Sequence, residues 1–325
     1  MTAHTLISPR PFAPGDYEGY QALANVCYPD YPGTVKETRH RDEIWDHSTY
    51  FMRRIIIEEA GRIVGSGDLN HAQWEFQPDK YHLDLKVDPA ARRRGLGTAL
   101  YEDLLAAARE RKAVQLIVGV KESMADGLEF ALNRGFSETK RDWESRLDVN
   151  AFDAAAFADA PKRVGAQCIT ITTLADELAR DPEAIRAVYE LDCDSGRDVP
   201  MTDGFTPVAF DMWRKQVLDS PAATPDAYYI AVSPEGSYLG MSNLSRSLED
   251  PTFIWQGLTG VRREARGKGI AMALKLATVE YARAHGIGEI KTWNDQRNRP
   301  MLRINEAMGF VKQPAWIEMR WDLRA

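Results

Sequence analysis

With 325 residues the chain is long enough for two domains of ordinary size, each burying its own core. Hydrophobic residues at 44% and charged residues at 27% match a globular protein and exclude disordered and fibrous classes. A net charge of −7 speaks against nucleic acid as a partner, since phosphates call for clustered Lys and Arg, and is compatible with a cationic acceptor such as an amine.

The three cysteines, Cys27, Cys168 and Cys193, are scattered and lack metal-ligand spacing, which suits reduced thiols, with no metal and no disulfide framework. The first residues hold no apolar stretch of the roughly 7–15 residues a secretory signal needs, and no run approaches the roughly 20 apolar residues of a membrane span. The expectation is a cytoplasmic protein without membrane contact. Its oligomeric state is not legible.

In chain order, the pattern predicts an extended segment over Thr5–Phe12 and helices over Asp16–Cys27 and Val35–Trp45. A hairpin follows, Phe51–Glu59 and Arg62–Asn70, turning at Ala60-Gly61. Lys80–Val87 alternates with Tyr81, Leu83, Leu85 and Val87 on one face, as a half-buried strand does. The helix from Gly95 aligns Leu96, Leu100 and Leu104, and Val114–Val120 reads as a buried strand. After an Ala-rich stretch with Pro161 and Gly165, the order repeats. Cys168–Leu174 is extended, Pro182–Leu191 and Pro207–Leu218 are helical, and Tyr228–Val232 and Tyr238–Leu244 flank a Pro234-Glu235-Gly236 turn. A strand over Thr252–Val261, a helix over Ile270–Arg283, a strand over Glu289–Trp293 and a helix over Arg299–Met308 complete the second half.

The repetition is in register. Arg266 lies 174 residues after Arg92, and the same offset relates Val87 to Val261, Leu100 to Leu274, and Gly135-Phe136 to Gly309-Phe310. One strand–helix–strand–helix block is therefore present twice, which sets the domain count at two.

Each copy has an Arg/Gly-rich turn between a strand and a helix, where free backbone N–H groups and the positive end of the helix dipole favour phosphate. A P-loop is excluded because Lys268 is followed by Gly269 rather than Ser or Thr. The dinucleotide fingerprint is excluded because Leu100 stands where its third Gly or Ala belongs. The two turns resemble the acyl-CoA pyrophosphate turn of the GNAT superfamily of N-acetyltransferases, and the likeness continues through Asn298, Asn305 and Gly309-Phe310.

That resemblance implies an α/β (α+β) protein of two tandem GNAT-like domains, each a mixed, centrally splayed sheet flanked by helices. The domains would be 1–150 and 167–325, with 151–166 as linker. It implies acetyl-CoA as co-substrate, no metal, and direct transfer in a ternary complex to the primary amine of a small molecule. Coenzyme contacts would come from Leu258, Thr259, Gly260, Val261, Arg266, Gly267, Lys268, Gly269, Ile270, Ala271, Asn294 and Asn298 in the second half. In the first half they would come from Val87, Arg92, Arg93, Arg94, Gly95, Leu96, Gly97 and Thr98.

Family members polarise the thioester carbonyl with a main-chain amide, often use a Glu or a water as base, and often protonate the sulfur with a Tyr. Here Asn305 occupies the Tyr position, and the strand Phe253–Val261 carries neither carboxylate nor histidine. Gln256 is the candidate to position a water, and Asp295, Glu249 or Asp250 to reach the amine. In the first half Met124 and Ala131 replace Asn298 and Asn305, while His82 and Asp84 form a base pair or are simply exposed. Trp74, Phe76, Trp213 and Trp255 line an acceptor pocket or belong to the core. The expected division of labour is a catalytic second half and a first half that binds coenzyme without turnover or supports the fold. Two other readings stay open: a protein or peptide N-acetyltransferase, and a non-catalytic acyl-CoA-binding sensor.

Overall fold

The structure is a computed structural model that describes residues 8–324. The chain divides into two compact units, Met1–Lys140 with Trp316–Ala325, and Arg141–Ala315. Residues 5–7 of the expected first extended segment lie outside the described residues, and its described part contains β1 (Arg10–Pro11).

In the first unit α1 (Tyr17–Cys27) and α2 (Val35–Glu43) precede the hairpin β2 (Met52–Glu59) and β3 (Arg62–Asn70). Then come β4 (Lys80–Val87), α3 (Leu96–Glu110), β5 (Gln115–Lys121), α4 (Ala125–Leu132) and the start of β6 (Ser137–Asp148). Helix α2 begins where its sequence says it should. The Thr34 side chain accepts from the Glu37 amide while Glu37 reaches back to Thr34, a reciprocal cap. Helix α3 lays Leu96, Leu100 and Leu104, all at most 1% exposed, against the sheet, and each such leucine contributes on the order of 2–5 kcal/mol.

In the second unit α5 (Asp159–Gly165), β7 (Thr170–Thr173), α6 (Leu174–Arg180), α7 (Ala184–Gly196) and α8 (Phe210–Arg214) precede the hairpin β8 (Tyr228–Val232) and β9 (Tyr238–Arg246). They are followed by β10 (Phe253–Val261), α9 (Ile270–Ala284), β11 (Glu289–Asp295), α10 (Arg299–Ala307) and β12 (Val311–Lys312). The expected helix over Pro207–Leu218 is shorter: α8 gives way to a π turn at Lys215–Asp219. The Ala-rich stretch is ordered, and its helix α5 packs on α9 with Ala160 and Val164 buried.

Each sheet is mixed and opens at its centre. In the first unit the order is β1-β2-β3-β4-β5, and the parallel pair β4·β5 holds register only from Lys80↔Gln115 to His82↔Ile117. In the second unit β10·β11 holds only from Phe253↔Glu289 to Trp255↔Lys291. Beyond those residues the strands diverge and leave a slot between them. These are the splayed sheets that the resemblance implies.

A strand diverging from one neighbour needs a partner on its other edge. The two units obtain it by exchange. β5 pairs antiparallel with β13 (Trp316–Asp322) from the far end of the chain, and β11 pairs with β6 over Glu289↔Asp148 to Asp295↔Asp142. The compact units thus differ from a division along the chain at residue 150: β13 belongs to the first unit, and residues 141–150 belong to the second.

Candidate active site

The two turns are built alike. A 3-10 turn, Pro89–Ala91 or Arg263–Ala265, leads to a helix that starts at Leu96 or Ile270, the two positions again 174 apart. Gly95 and Gly269 both sit at φ +84, and Gly267 at +78, with no atom near where a Cβ would stand. That left-handed backbone turns successive N–H groups toward one point at the helix start, as an anion site requires. In the first unit the position of Gly267 is held by Arg93 at φ +60, a strained conformation for a residue with a side chain. The arginine opening each signature braces its own turn: Arg92 Nε donates to Val87 O at 3.2 Å, and Arg266 Nε to Val261 O at 3.1 Å.

The second unit's turn borders a cavity of about 450 Å³. Thr259, Gly260, Val261, Arg266, Gly267, Gly269, Ile270, Ala271 and Asn298 line it, together with Ser195 and Asp198 of the α7 region and Met301 and Ile304 of α10. Asn298 caps α10, its Oδ1 accepting from the Met301 amide at 3.4 Å; its Nδ2 makes no hydrogen bond among the described residues. Lys268 makes no ion pair among the described residues. Asp198 instead holds Arg263 at 2.6 Å and also pairs with Arg266, and these guanidinium groups keep its carboxyl below the usual carboxylate range. Gly260 lies so close to α7 that a Cβ there would collide with the Ser195 side chain.

Strand β10 is irregular where the slot opens. Its register against β9 slips between Gln256 and Thr259, so Gly257 and Leu258 together face a single step of β9. Gly257 is exposed in the middle of a strand. The equivalent residues of β4, Leu83 and Asp84, pair regularly with Leu69 and Asp68.

The sequence candidates separate on inspection of their partners. Gln256 is buried at 4% exposure and is not among the residues bordering the cavity. Its Nε2 donates to Ser242 Oγ and Asn243 O, and its Oε1 accepts from Thr278 Oγ1 at 2.9 Å. Gln256 therefore ties β9, β10 and α9 together, and both ends of its amide are engaged. Asp295 is gripped by Arg297 through Nε at 3.0 Å and Nη2 at 2.7 Å, and it accepts from the Arg297 amide as well. Asn305 is 2% exposed; its Nδ2 donates to Asn294 Oδ1 at 2.6 Å, while its Oδ1 is buried without a partner. Leu258, Lys268 and Asn294 do not border the cavity, and Trp213 lies in the core of the second unit.

One residue escaped the sequence reading. Asp192 lies on α7, one turn before Ser195, and that helix packs on β9 and β10. Burial pushes its carboxyl up to about 6, against hydrogen bonds from Trp213 and Tyr228. Asp192 does not itself border the cavity, although Ser195 on the same helix does; a carboxyl moved toward neutrality by its surroundings is the property expected of an acid–base group.

The first unit's cavity is larger, about 820 Å³. Val87, Arg92, Arg93, Gly95, Leu96, Gly97 and Thr98 line it; Arg94 does not, being held by Glu59 at 2.8 Å. Its cations face carboxylates, since Arg93 pairs with Asp126 at 2.5 Å and Glu129 at 3.5 Å. Asp84 pairs with the buried Lys86 and lies 3.5 Å from Tyr28 Oη.

The profile of the acetyltransferase (GNAT) family matches residues 20–136 and 185–310. The mycothiol acetyltransferase of Thermobifida fusca is 22% identical over 271 residues, covering 80% of this chain and 79% of that protein. The mycothiol acetyltransferase of Thermomonospora curvata is 26% identical over 265 residues, covering 80% and 79%. Among solved structures, a tandem GNAT protein from the clavulanic acid biosynthesis pathway superposes with a TM-score of 0.74 at 21% identity, covering 97% of this chain and 98% of that one. A GCN5-related N-acetyltransferase from Sphaerobacter thermophilus follows the same fold, with a TM-score of 0.66 at 19% identity over 97% and 95%.

Proposed function

Since this chain belongs to the acetyltransferase (GNAT) family and is an N-acetyltransferase, we propose that it moves the acetyl group of acetyl-CoA to the primary amine of a small molecule, in the cleft of the second unit. The observation that carries the choice of unit is the bulge at Gly257 and Leu258, opening exactly one strand of the two β4-type strands where the sheet splays. A backbone released from its ladder offers amide N–H groups to the oxygen on which charge develops, whereas an unbroken ladder does not.

The rest of the cleft fits the co-substrate. The helix start at Gly267–Ile270 offers N–H groups with open space where side chains of Gly267 and Gly269 would stand, and Arg266 adds positive charge for a diphosphate. Asn298 Nδ2 is a donor still to be satisfied, and the slot between β10 and β11 suits an extended arm. Asp192 takes the role of base, removing the proton of an incoming ammonium at neutral pH because its own carboxyl titrates near 6. Gln256 and Asp295 position their neighbours and take no proton. Relatives named for a small molecule, mycothiol, favour a small acceptor over a polypeptide.

The test is release of free thiol from acetyl-CoA across a panel of small amines, amino sugars and peptides. Turnover with small amines and none with peptides is the expected result. Binding of acetyl-CoA with no thiol release from any acceptor would make the chain an acyl-CoA sensor instead.

A further inference from the structure

The duplicated fold lets one cleft serve as a map of the other. In the first unit the cavity reaches inward to Tyr101, Ala131 and Phe136. Their counterparts in the second unit, 174 residues on, are Lys275, Asn305 and Phe310. None of these three borders the second unit's cavity, yet their neighbours Met272 and Ile304 do. Two of the three are polar.

Lys275 is 1% exposed on α9, in a position where its Nζ stands 4.7 Å from the centre of the Phe310 ring. Among the described residues no hydrogen bond or ion pair reaches that Nζ. Asn305 Oδ1 is buried and also lacks a partner. A buried amine that meets a ring face and a buried amide oxygen without a partner are costs that call for a use. The helix bearing Lys275 is pinned to the bulged strand through Thr278 Oγ1 and Gln256 Oε1, so the lysine is held in place relative to the slot.

We propose that Lys275 donates the proton taken up by the coenzyme sulfur as it departs, filling the role left open by Asn305. The inference rests on the function proposed above. In the step, the amine nitrogen forms a bond to the carbonyl carbon, the carbon–sulfur bond breaks, and its electron pair stays on sulfur. The ammonium of Lys275 gives that sulfur its proton and regains one from solvent, while Asp192 takes the proton released by the acceptor nitrogen. Burial alone pushes Lys275 down to about 7, with no carboxylate or cation contributing, which makes it a more willing donor than an ordinary lysine. An ammonium of that acidity matches a thiol whose unperturbed pKa is about 8.5.

The experiment is Lys275→Met, assayed over pH with an acceptor amine of low pKa. A roughly 100-fold fall in kcat is expected, at the low end for proton donation, with loss of the decline above neutral pH and an unchanged KM for acetyl-CoA. Two readouts are independent of turnover. The thiol of bound CoA, followed by thiolate absorbance, should titrate at lower pH in the wild type than in the variant. The ligand-free variant should melt higher, because Met fills the space without a buried amine. A variant that keeps the wild-type kcat, pH profile and bound-thiol titration overturns the role of Lys275 while leaving the transferase intact. A wild type inactive with every amine overturns the proposed function, and this inference with it.

Discussion

The two clefts share φ +84 at the glycine that opens each helix, Gly95 and Gly269, yet they present different chemistry to a coenzyme. In the first, Arg93 sits at φ +60 and is met by Asp126 and Glu129 of α4. In the second, Gly267 takes that place, and Pro300 and Arg303 stand where those carboxylates were. The first strand runs through its ladder unbroken, whereas the second bulges. The cavity reaches Tyr101 and Ala131 in one unit, whereas their counterparts Lys275 and Asn305 are buried outside the cavity of the other. Backbone geometry at the turn is thus what the two units share, while charge at the lip and register at the strand differ, and the proposal of a reactive second cleft and a supporting first one rests on those differences.

The largest expected effect breaks the comparison at its shared feature. Gly269→Asp places a carboxylate at φ +84 beside the diphosphate site, and thiol release should fall by at least roughly 100-fold. The matching Gly95→Asp should leave turnover within about twofold, and a large loss there would move the active cleft to the first unit.

Next comes Asp192→Asn, expected to lower kcat by roughly 100-fold. In the wild type the rate should rise through about pH 6 as the carboxyl loses its proton, and the variant should lack that limb. The sign for stability is opposite. A carboxyl raised above its unfolded pKa favours the folded state while protonated, so its contribution is lost as pH rises from about 4 toward 6. At pH 7 the Asn variant should therefore be the more stable, by on the order of 1–3 kcal/mol in denaturant melts.

Lys275 titrates in the reverse sense. Its folded pKa lies below the unfolded value, so the unfolded chain binds more protons between about 7 and 10.5, and wild-type stability should climb across that window. Lys275→Met should show a flat profile there, and an equal climb in both proteins would place the charge elsewhere. The smallest effect belongs to Arg93→Gly. Relief of the left-handed strain, offset by the greater freedom of glycine when unfolded and by loss of exposed ion pairs, should raise stability by less than about 1 kcal/mol.

Much of this contrast was legible in the residues. The constant offset gave two copies, and the Gly-rich turns located Leu96 and Ile270 as helix starts, because only glycine takes φ +84 without cost. The exchange of β6 and β13 was not legible, since the edge that accepts each strand lies in the other half of the chain and local pattern carries no address. Gln256 and Asp295 look reactive in sequence, but Thr278 and Arg297, placed by the fold, engage them fully. Asp192 lies one residue past the helix expected over Pro182–Leu191, and its raised pKa arises from burial, which only tertiary structure creates and which outweighs the hydrogen bonds from Trp213 and Tyr228. Lys275 is hidden for the same reason.

The most direct measurement is calorimetric titration of CoA into the wild type, Gly95→Asp and Gly269→Asp proteins. The account predicts that binding at the second cleft survives Gly95→Asp and disappears in Gly269→Asp. Retained affinity in Gly269→Asp together with its loss in Gly95→Asp would contradict it.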